Sequence, residues 1–281
     1  MVACNFGFRT GKAPPLGNDL YSGFVFVFMG LGEVLLDFDE FAASYEKPYL
    51  FDFNRVRHWF PLSASEDFAG LIGDLMGDGH LQAKPKWRLD FTSNSAEELQ
   101  RFGYVVKNLF GVDGKIRACT TNCYGTMNYG VNCKPLARLM VLCGVPSGSK
   151  PDKVYQIPKW ILGNKAYFRK FVSRYFTCEG SVDMHGAISL AIFKEESLVE
   201  NGIGFLSDIR LGLDRFFDVQ TEKPFLWSRL SYRKEKPPSR GIVLKIRRRR
   251  SLLAFYKNVG FESLEKNLKL NALLERQGNV L

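Results

Sequence analysis

Two acidic residues stand in matching positions. Asp78 and Glu179 lie 101 residues apart, each closes an apolar stretch that reads as a helix, and each is followed by glycine. An acid at a helix C-terminus opposes the macrodipole, so an unfavourable choice has been made twice. Two such helices packed in parallel would bring their carboxylates to one point. Like charges that close repel unless a cation lies between them, and carboxylate, carbonyl and water oxygens suit hard cations such as Mg²⁺. A cation held there can activate water and stabilise a leaving oxygen in phosphodiester hydrolysis. Basic residues recur too: Gly144 precedes Lys150 by six residues, and Gly260 precedes Lys266 by six. A lysine nearby would neutralise charge that develops on a phosphate. The competing reading makes both acids ordinary helix-terminal turn residues.

These residues need a repeated scaffold to position them. Ser63-Ala-Ser-Glu66 has the form of a capping box and precedes the apolar run 68–76, which stops at Gly77-Asp78-Gly79. An alternating extended stretch, 81–91, breaks near Pro85. Residues 95–110 read as a helix ended by Gly111, 115–121 and 126–132 as a hairpin around Gly125, and 135–142 as a short helix closed by Gly144. The order then returns. Residues 160–178 read as a helix, Ile188, Leu190 and Ile192 mark one face of a strand, and 198–217 is mostly helical. Segments 225–233 and 242–248 are strands, and 251–259 is a helix ended by Gly260. The expected fold class is α+β, helix-strand-strand-helix-strand-strand-helix, twice. The first 62 residues differ: a loop around Pro14-Pro15, a short strand at 24–28 and a helix at 34–45. Three segments are expected: 1–62, an N-terminal extension of unknown role; 63–156, the first unit; and 157–281, the second.

The chain has 281 residues, with 39 Lys+Arg against 29 Asp+Glu and a formal charge of +10. Its 46% apolar residues exclude disorder over most of the chain. The basic excess is confined. Residues 1–62 carry 5 basic and 7 acidic side chains, and the rest of the chain nets +12. A basic body points to a polyanionic partner, nucleic acid first; solubility alone is the plainer alternative. The cysteines are Cys4, Cys119, Cys123, Cys133, Cys143 and Cys178. They form no CxxC pair, and the histidines complete no zinc spacing, so reduced, partly buried thiols are expected. The most apolar stretch, 24–36, is too short to span a membrane and contains Glu33. The expectation is a soluble intracellular protein with access to DNA, in a prokaryotic cytoplasm or an organelle.

Leu71-Ile-Gly-Asp-Leu-Met-Gly-Asp-Gly79 resembles the LAGLIDADG motif of homing endonucleases, and Val172-Ser-Arg-Tyr-Phe-Thr-Cys-Glu-Gly180 resembles its second copy. Ile157-Pro-Lys-Trp-Ile161 and the run from Leu253 to Lys266 are similar to further segments of such proteins. The resemblance covers about residues 63–276. It implies a monomer of two pseudo-symmetric αββαββα units whose antiparallel sheets form a saddle on double-stranded DNA with a long target site. It implies that Asp78 and Glu179 bind Mg²⁺, or another divalent cation such as Mn²⁺, with the carbonyls of Gly77 and Cys178 as further ligands. It also implies active-site roles for Lys150 and Lys266 and a supporting one for Lys194, with Ser93 or Asn94 as the first unit's counterpart. Two residues depart from the pattern: Arg174 stands where a small residue would ease helix contact, and Asp74 lies inside an apolar helix.

Strand alternation identifies a DNA-facing set. With Leu81, Ala83, Leu89 and Phe91 turned to the core, His80, Gln82, Lys84, Arg88 and Thr92 face outward. With Ile116 in the core, Lys115 and Arg117 face outward. With Ile242, Leu244 and Ile246 in the core, Lys245 and Arg247 do so, joined by Arg229 and Arg233. A β-ribbon fits the major groove, where Arg and Lys read guanine. The segment 223–250 holds 11 basic residues and one acid, a density suited to phosphate contact. The functions that follow are a site-specific, intron-encoded DNA endonuclease, or a maturase acting on intron RNA or a catalytically decayed nucleic-acid-binding protein of the same fold. An intein-embedded nuclease is a third form, without support for self-splicing.

Overall fold

The computed structural model describes residues 33–119, 125–183, 186–232 and 235–278. The strand expected at 24–28 lies outside the described residues. Where one helix was expected over 34–45, strand β1 (Val34–Leu36) pairs antiparallel with β2 (Leu62–Ser63), and helix α1 spans only Phe38–Ala43. The reason is Asp37. Its carboxylate accepts from the Glu40 N–H at 2.7 Å, and that of Glu40 accepts from the Asp37 N–H at 3.2 Å. This capping box starts the helix late. Phe41, Val56, Trp59 and Leu62 are buried in the same hydrophobic cluster as the first repeat, and the Trp59 indole N–H donates to the Phe110 carbonyl at 2.8 Å.

The first repeat runs α2 (Glu66–Met76), β3 (Gly79–Gln82), β4 (Arg88–Ser93), α3 (Ala96–Phe110), β5 (Lys115–Ala118), β6 (Met127–Val131) and α4 (Lys134–Leu142). The cap of α2 is Ser65, whose hydroxyl accepts from the Phe68 N–H at 3.1 Å, rather than the Ser63-to-Glu66 box. The second repeat runs α5 (Lys159–Gly163), α6 (Lys165–Glu179), β7 (Gly180–Asp183), β8 (Ala187–Glu195), α7 (Val199–Phe217), β9 (Phe225–Ser231), β10 (Ser239–Ile246), α8 (Arg249–Asn258) and α9 (Leu264–Gly278). The single helix expected over 160–178 is two. Asn164 interrupts it and caps α6, accepting from the Ala166 and Tyr167 N–H groups at 2.9 and 3.2 Å. Helix α9 is additional. It anchors through Leu270, Leu273 and Leu274 and leaves Leu264 and Leu268 exposed, a weak stripe in a charged sequence.

Both repeats build a four-stranded antiparallel sheet with the same strand order, β3-β4-β6-β5 and β7-β8-β10-β9. The α+β architecture with two pseudo-symmetric units and antiparallel saddle sheets is therefore the one expected. The first strand of each sheet order, β3 and β7, begins immediately after Asp78 and Glu179. One face of each sheet is covered. Leu81, Leu89, Phe91 and Val131 of the first, and Ile188, Leu190, Ile242, Leu244 and Ile246 of the second, are buried. Ile116 lies on the covered face by register with Tyr129, yet it is 44% exposed because β5 is an edge strand. It is not a core residue.

Candidate active site

Helices α2 and α6 join the two units along a close seam. The approach is possible because α2 presents glycine where α6 presents bulk. A Cβ on Gly73 would stand 2.6 Å from the Phe171 carbonyl oxygen, and one on Gly77 would collide with the Cys178 side chain. This is the physical content of the small residues in the first motif.

Arg174 and Asp74 are the two residues that departed from the motif pattern, and they pair across this seam. The Arg174 Nε donates to Asp74 Oδ1 at 2.8 Å, and its Nη2 donates to Glu98 Oε2 at 2.5 Å. Arg101 donates to the second Asp74 oxygen at 2.8 Å. Both Arg174 and Asp74 are fully buried. Burial alone would ease the proton off Arg174, but Asp74 and Glu98 outweigh it and hold the guanidinium charged. Arg174 also passes over Gly73, whose Cβ would meet its side chain at 3.1 Å. The large side chain thus needs the opposing glycine, and the packing question it raised is resolved by charge and by space.

At the far end of this seam the two acids converge. Burial pushes the Glu179 carboxyl up to about 7; Lys150 and Lys266 pull it down, and Asp78 pushes it up. Asp78 is open to solvent along a cleft of about 480 Å³ shared with Thr177, Cys178 and Lys266. The dense protein behind it still raises its carboxyl, against the pull of both lysines and of a hydrogen bond from the Cys178 thiol. Burial likewise pushes the Cys178 thiol well up, so the thiol stays protonated beside the acids.

Each lysine stands by its own motif, but on different carbonyls. Lys150, in a 3-10 turn (Lys150–Asp152), donates to the Gly77 carbonyl. Lys266 donates to the carbonyls of Thr177 and Gly180, both at 2.6 Å. Burial lowers both ammonium groups, and the acids oppose that shift. Lys194 is elsewhere. It is fully buried on the covered face of β8 and donates to the carbonyls of Lys153 and Lys150. Its ammonium sits 3.6 Å from the centre of the Tyr155 ring, and burial lowers it to about 8. It touches the turn that carries Lys150 and not the acids.

The strand registers align the outward residues. His80 and Gln82 of β3, Arg88 and Thr92 of β4, and Lys115 and Arg117 of β5 share one face of the first sheet. Burial lowers the His80 imidazole. Arg88 is tied to Asp90 on that face. Lys84 is off it, in the turn after β3, paired with Glu46. In the second sheet Lys245 is on the open face and Arg229 is exposed on β9. Arg247 lies past the end of β10, paired with Glu222 at 3.1 Å, so strand alternation does not govern it. Arg233 lies outside the described residues. Alternation in single strands missed Asn128, which accepts from the Thr92 hydroxyl at 2.7 Å. Pairing β6 with β4 would have found it. Cys133, Cys143 and Cys178 are free thiols; Cys4 and Cys123 lie outside the described residues. Among the described residues no three His, Cys, Asp or Glu side chains cluster as a metal site, and no helix is long and apolar enough to cross a membrane.

No family model matches the chain. It is 29% identical over 217 residues to a tRNA-splicing ligase RtcB of Pyrococcus abyssi, covering 68% of this chain and 23% of that protein. It is 28% identical over 163 residues to a replication factor C small subunit of Methanocaldococcus jannaschii, covering 53% of this chain and 9% of that protein. The chain therefore spans less than a quarter of these curated relatives. Among solved structures it is similar to the homing endonuclease I-WcaI bound to its DNA recognition sequence, with a TM-score of 0.48, 14% identity, and 77% and 90% of the two chains covered. It is also similar to I-DmoI in complex with DNA and Mn, with a TM-score of 0.44, 17% identity, and 71% and 98% covered. A third is full-length DUF199/WhiA from Thermatoga maritima, with a TM-score of 0.46, 15% identity, and 75% and 60% covered.

Proposed function

We propose that this chain is a divalent-cation-dependent endonuclease that cuts double-stranded DNA at a long, specific site, acting as a monomer and encoded in an intron. The observation that carries the reading is the convergence of Asp78 and Glu179 at the end of the α2–α6 seam, where Asp78 helps to raise the Glu179 carboxyl to about 7. A pair of carboxylates that resists double ionisation is a site made for a cation. The oxygens available are hard: two carboxylates and the neighbouring carbonyls of Gly77 and Cys178. That donor set fits Mg²⁺ or Mn²⁺. A divalent ion there would activate water and neutralise charge on a phosphodiester. The protein's own part is to orient and to balance charge. Lys150 and Lys266 hold carbonyls in the last residues of each motif and would place positive charge beside the scissile phosphate. Lys194 steadies the turn that carries Lys150. His80, Gln82, Arg88, Thr92, Lys115 and Arg117 offer one row of side chains to a groove.

The curated relatives support a self-contained module. One region recurs as a minor part of two proteins with different names, so its activity need not be that of either whole protein. A second reading, a nucleic-acid-binding protein of the same fold that does not cut, such as a maturase acting on intron RNA, is favoured by one observation. Lys150 already occupies the Gly77 carbonyl that a cation would share.

The deciding assay uses a plasmid carrying the intron-less junction inferred from the gene's surroundings. Metal-dependent cutting at one site, absent with chelator and with Asp78→Asn, is expected. Binding without cutting moves the conclusion to the second reading, and sustained specific cutting by an Asp78→Asn, Glu179→Gln double variant overturns the site.

A further inference from the structure

The two sheets present open faces of different chemistry. That of the first is polar, with His80, Gln82, Arg88, Thr92 and Asn128 in register. That of the second is aromatic. Phe193 of β8 and Phe225 and Trp227 of β9 are 37%, 37% and 42% exposed. Register establishes the side. Phe193 pairs with Gly241, and Phe225 with Val243. The alternate residues Ile192, Lys194 and Ile242 turn the other way and pack on Gly202 of α7.

The face is built around the tryptophan. The indole covers Gly241, where an added Cβ would collide with the ring carbons. Glycine inside a strand is unfavourable and marks a close approach; here the thing that approaches is the ring. The β9–β10 register shifts at the same point, between Arg240 and Ile242. Phe193 meets Trp227 edge to face, with centroids 5.4 Å apart at 70°. The Lys245 ammonium stands 5.8 Å from the centre of the Phe225 ring. Folding does not account for rings left in water, because the opposite side of this sheet already supplies the core.

We propose that this face binds an unpaired stretch of DNA by stacking two or three bases on Trp227, Phe193 and Phe225, with Lys245 and Arg229 taking phosphates. The inference rests on the nucleic-acid reading above but not on cleavage. In a duplex each base is covered by its neighbours and shows the groove only an edge, so flat rings gain little from it. An unpaired base offers its face, and stacking on aromatic rings is tolerant of sequence. Ala191, Gly241 and Val243, the face positions between the rings, carry no hydrogen-bonding side chain, and the charged ones, Glu195, Arg229 and Lys245, stand at the margin of the aromatic patch. Charge agrees. Lys245 and Arg229 flank the rings, and the acids on this face, Asp183 and Glu195, lie at strand ends.

The test titrates the full chain, in chelator, with labelled oligodeoxythymidylate, oligouridylate of equal length, and a mixed-sequence duplex. The wild type is expected to bind the oligodeoxythymidylate with quenched tryptophan fluorescence. Trp227→Leu is expected to weaken that binding roughly 5- to 150-fold, the range that stacking of one base supplies. Trp227→Phe keeps a ring and stays within about threefold of wild type, and both variants bind the duplex as wild type does. Wild-type circular dichroism in both separates this result from misfolding. No affinity for the single strand at low salt overturns the proposal, as does an equal loss on the duplex. Binding of oligouridylate more than about tenfold tighter overturns the assignment to DNA, because stacking alone does not tell the sugars apart. Cleavage of duplex DNA by the same preparations is read separately, so failure of the nuclease reading is distinguishable from failure of this one.

Discussion

Glu179→Gln should make the metal-free protein more stable above neutral pH and leave its stability unchanged in acid. The Glu179 carboxyl sits at about 7 in the folded protein against an ordinary 4.5. The folded state therefore holds a proton that the unfolded chain releases. Below 4.5 both states are protonated and the group contributes nothing. Between 4.5 and 7 the unfolded chain ionises first, so stability falls as pH rises. Above 7 the loss is complete, at about 3 kcal/mol for a carboxyl moved from 4.5 to about 7. Asp78 is shifted in the same direction and adds to the trend. A glutamine amide at this position cannot ionise, so the penalty is absent in the variant. The figure is an upper bound, because removing the carboxylate also lowers the neighbouring ammonium groups of Lys150 and Lys266. The assay is urea unfolding in chelator at acid, neutral and alkaline pH, followed by tryptophan fluorescence. With a slope of about 3 kcal/mol per molar, the midpoint of the variant should exceed wild type by up to about 1 M at pH 8. At pH 4 the two curves should coincide. Millimolar Mg²⁺ should then raise the midpoint of wild type and not of the variant. A gap that is the same at pH 4 and pH 8, or a wild type that gains stability with alkali, would refute the mutually repelling acid pair.

Three further outcomes follow from the same geometry. Arg174→Met leaves Asp74 and Glu98 without their buried partner and should cost about 3–5 kcal/mol in urea unfolding, while Asp74→Leu added to it should recover a large part. The affinity of the metal-free protein for Mg²⁺ should rise with pH through about 7, as the Glu179 proton ceases to compete with the cation, and an affinity flat from pH 6 to 8 in a metal titration would contradict the assignment. Gly73→Ala sets a Cβ against the Phe171 carbonyl; it should lower the melting temperature and reduce cleavage more than DNA affinity, measured by calorimetry and by filter binding.

The repeat was legible because its signals are local. Gly77-Asp78-Gly79 and Glu179-Gly180 stop their helices, and Gly111 takes the left-handed backbone, φ +67°, that ends α3. Alternation assigned Leu81, Leu89, Phe91, Ile242, Leu244 and Ile246 to covered faces, where all are buried. Misreadings arose where a side chain competes with periodicity. Asp37 starts α1 late, and Asn164 splits α5 from α6. Ile116 faces the core side yet lies on an edge strand with nothing over it. Lys194 shows a further limit: the sequence reading sets it just after its strand, whereas β8 runs on to Glu195 and carries it on the covered face, buried against Tyr155.

The amino-acid sequence by itself determined which elements form, their order, their repetition and the two acids that end the motifs, because caps, stops and periodicity act within one or two turns of the residue that carries them. The tertiary structure alone decided that Arg174 would meet Asp74, that Lys150 and Lys266 would hold the carbonyls of their own motifs, and that Trp227 would cover Gly241. Each of those contacts joins residues on different elements. Its existence depends on the depth and register at which helices and strands pack, and no local pattern carries that information.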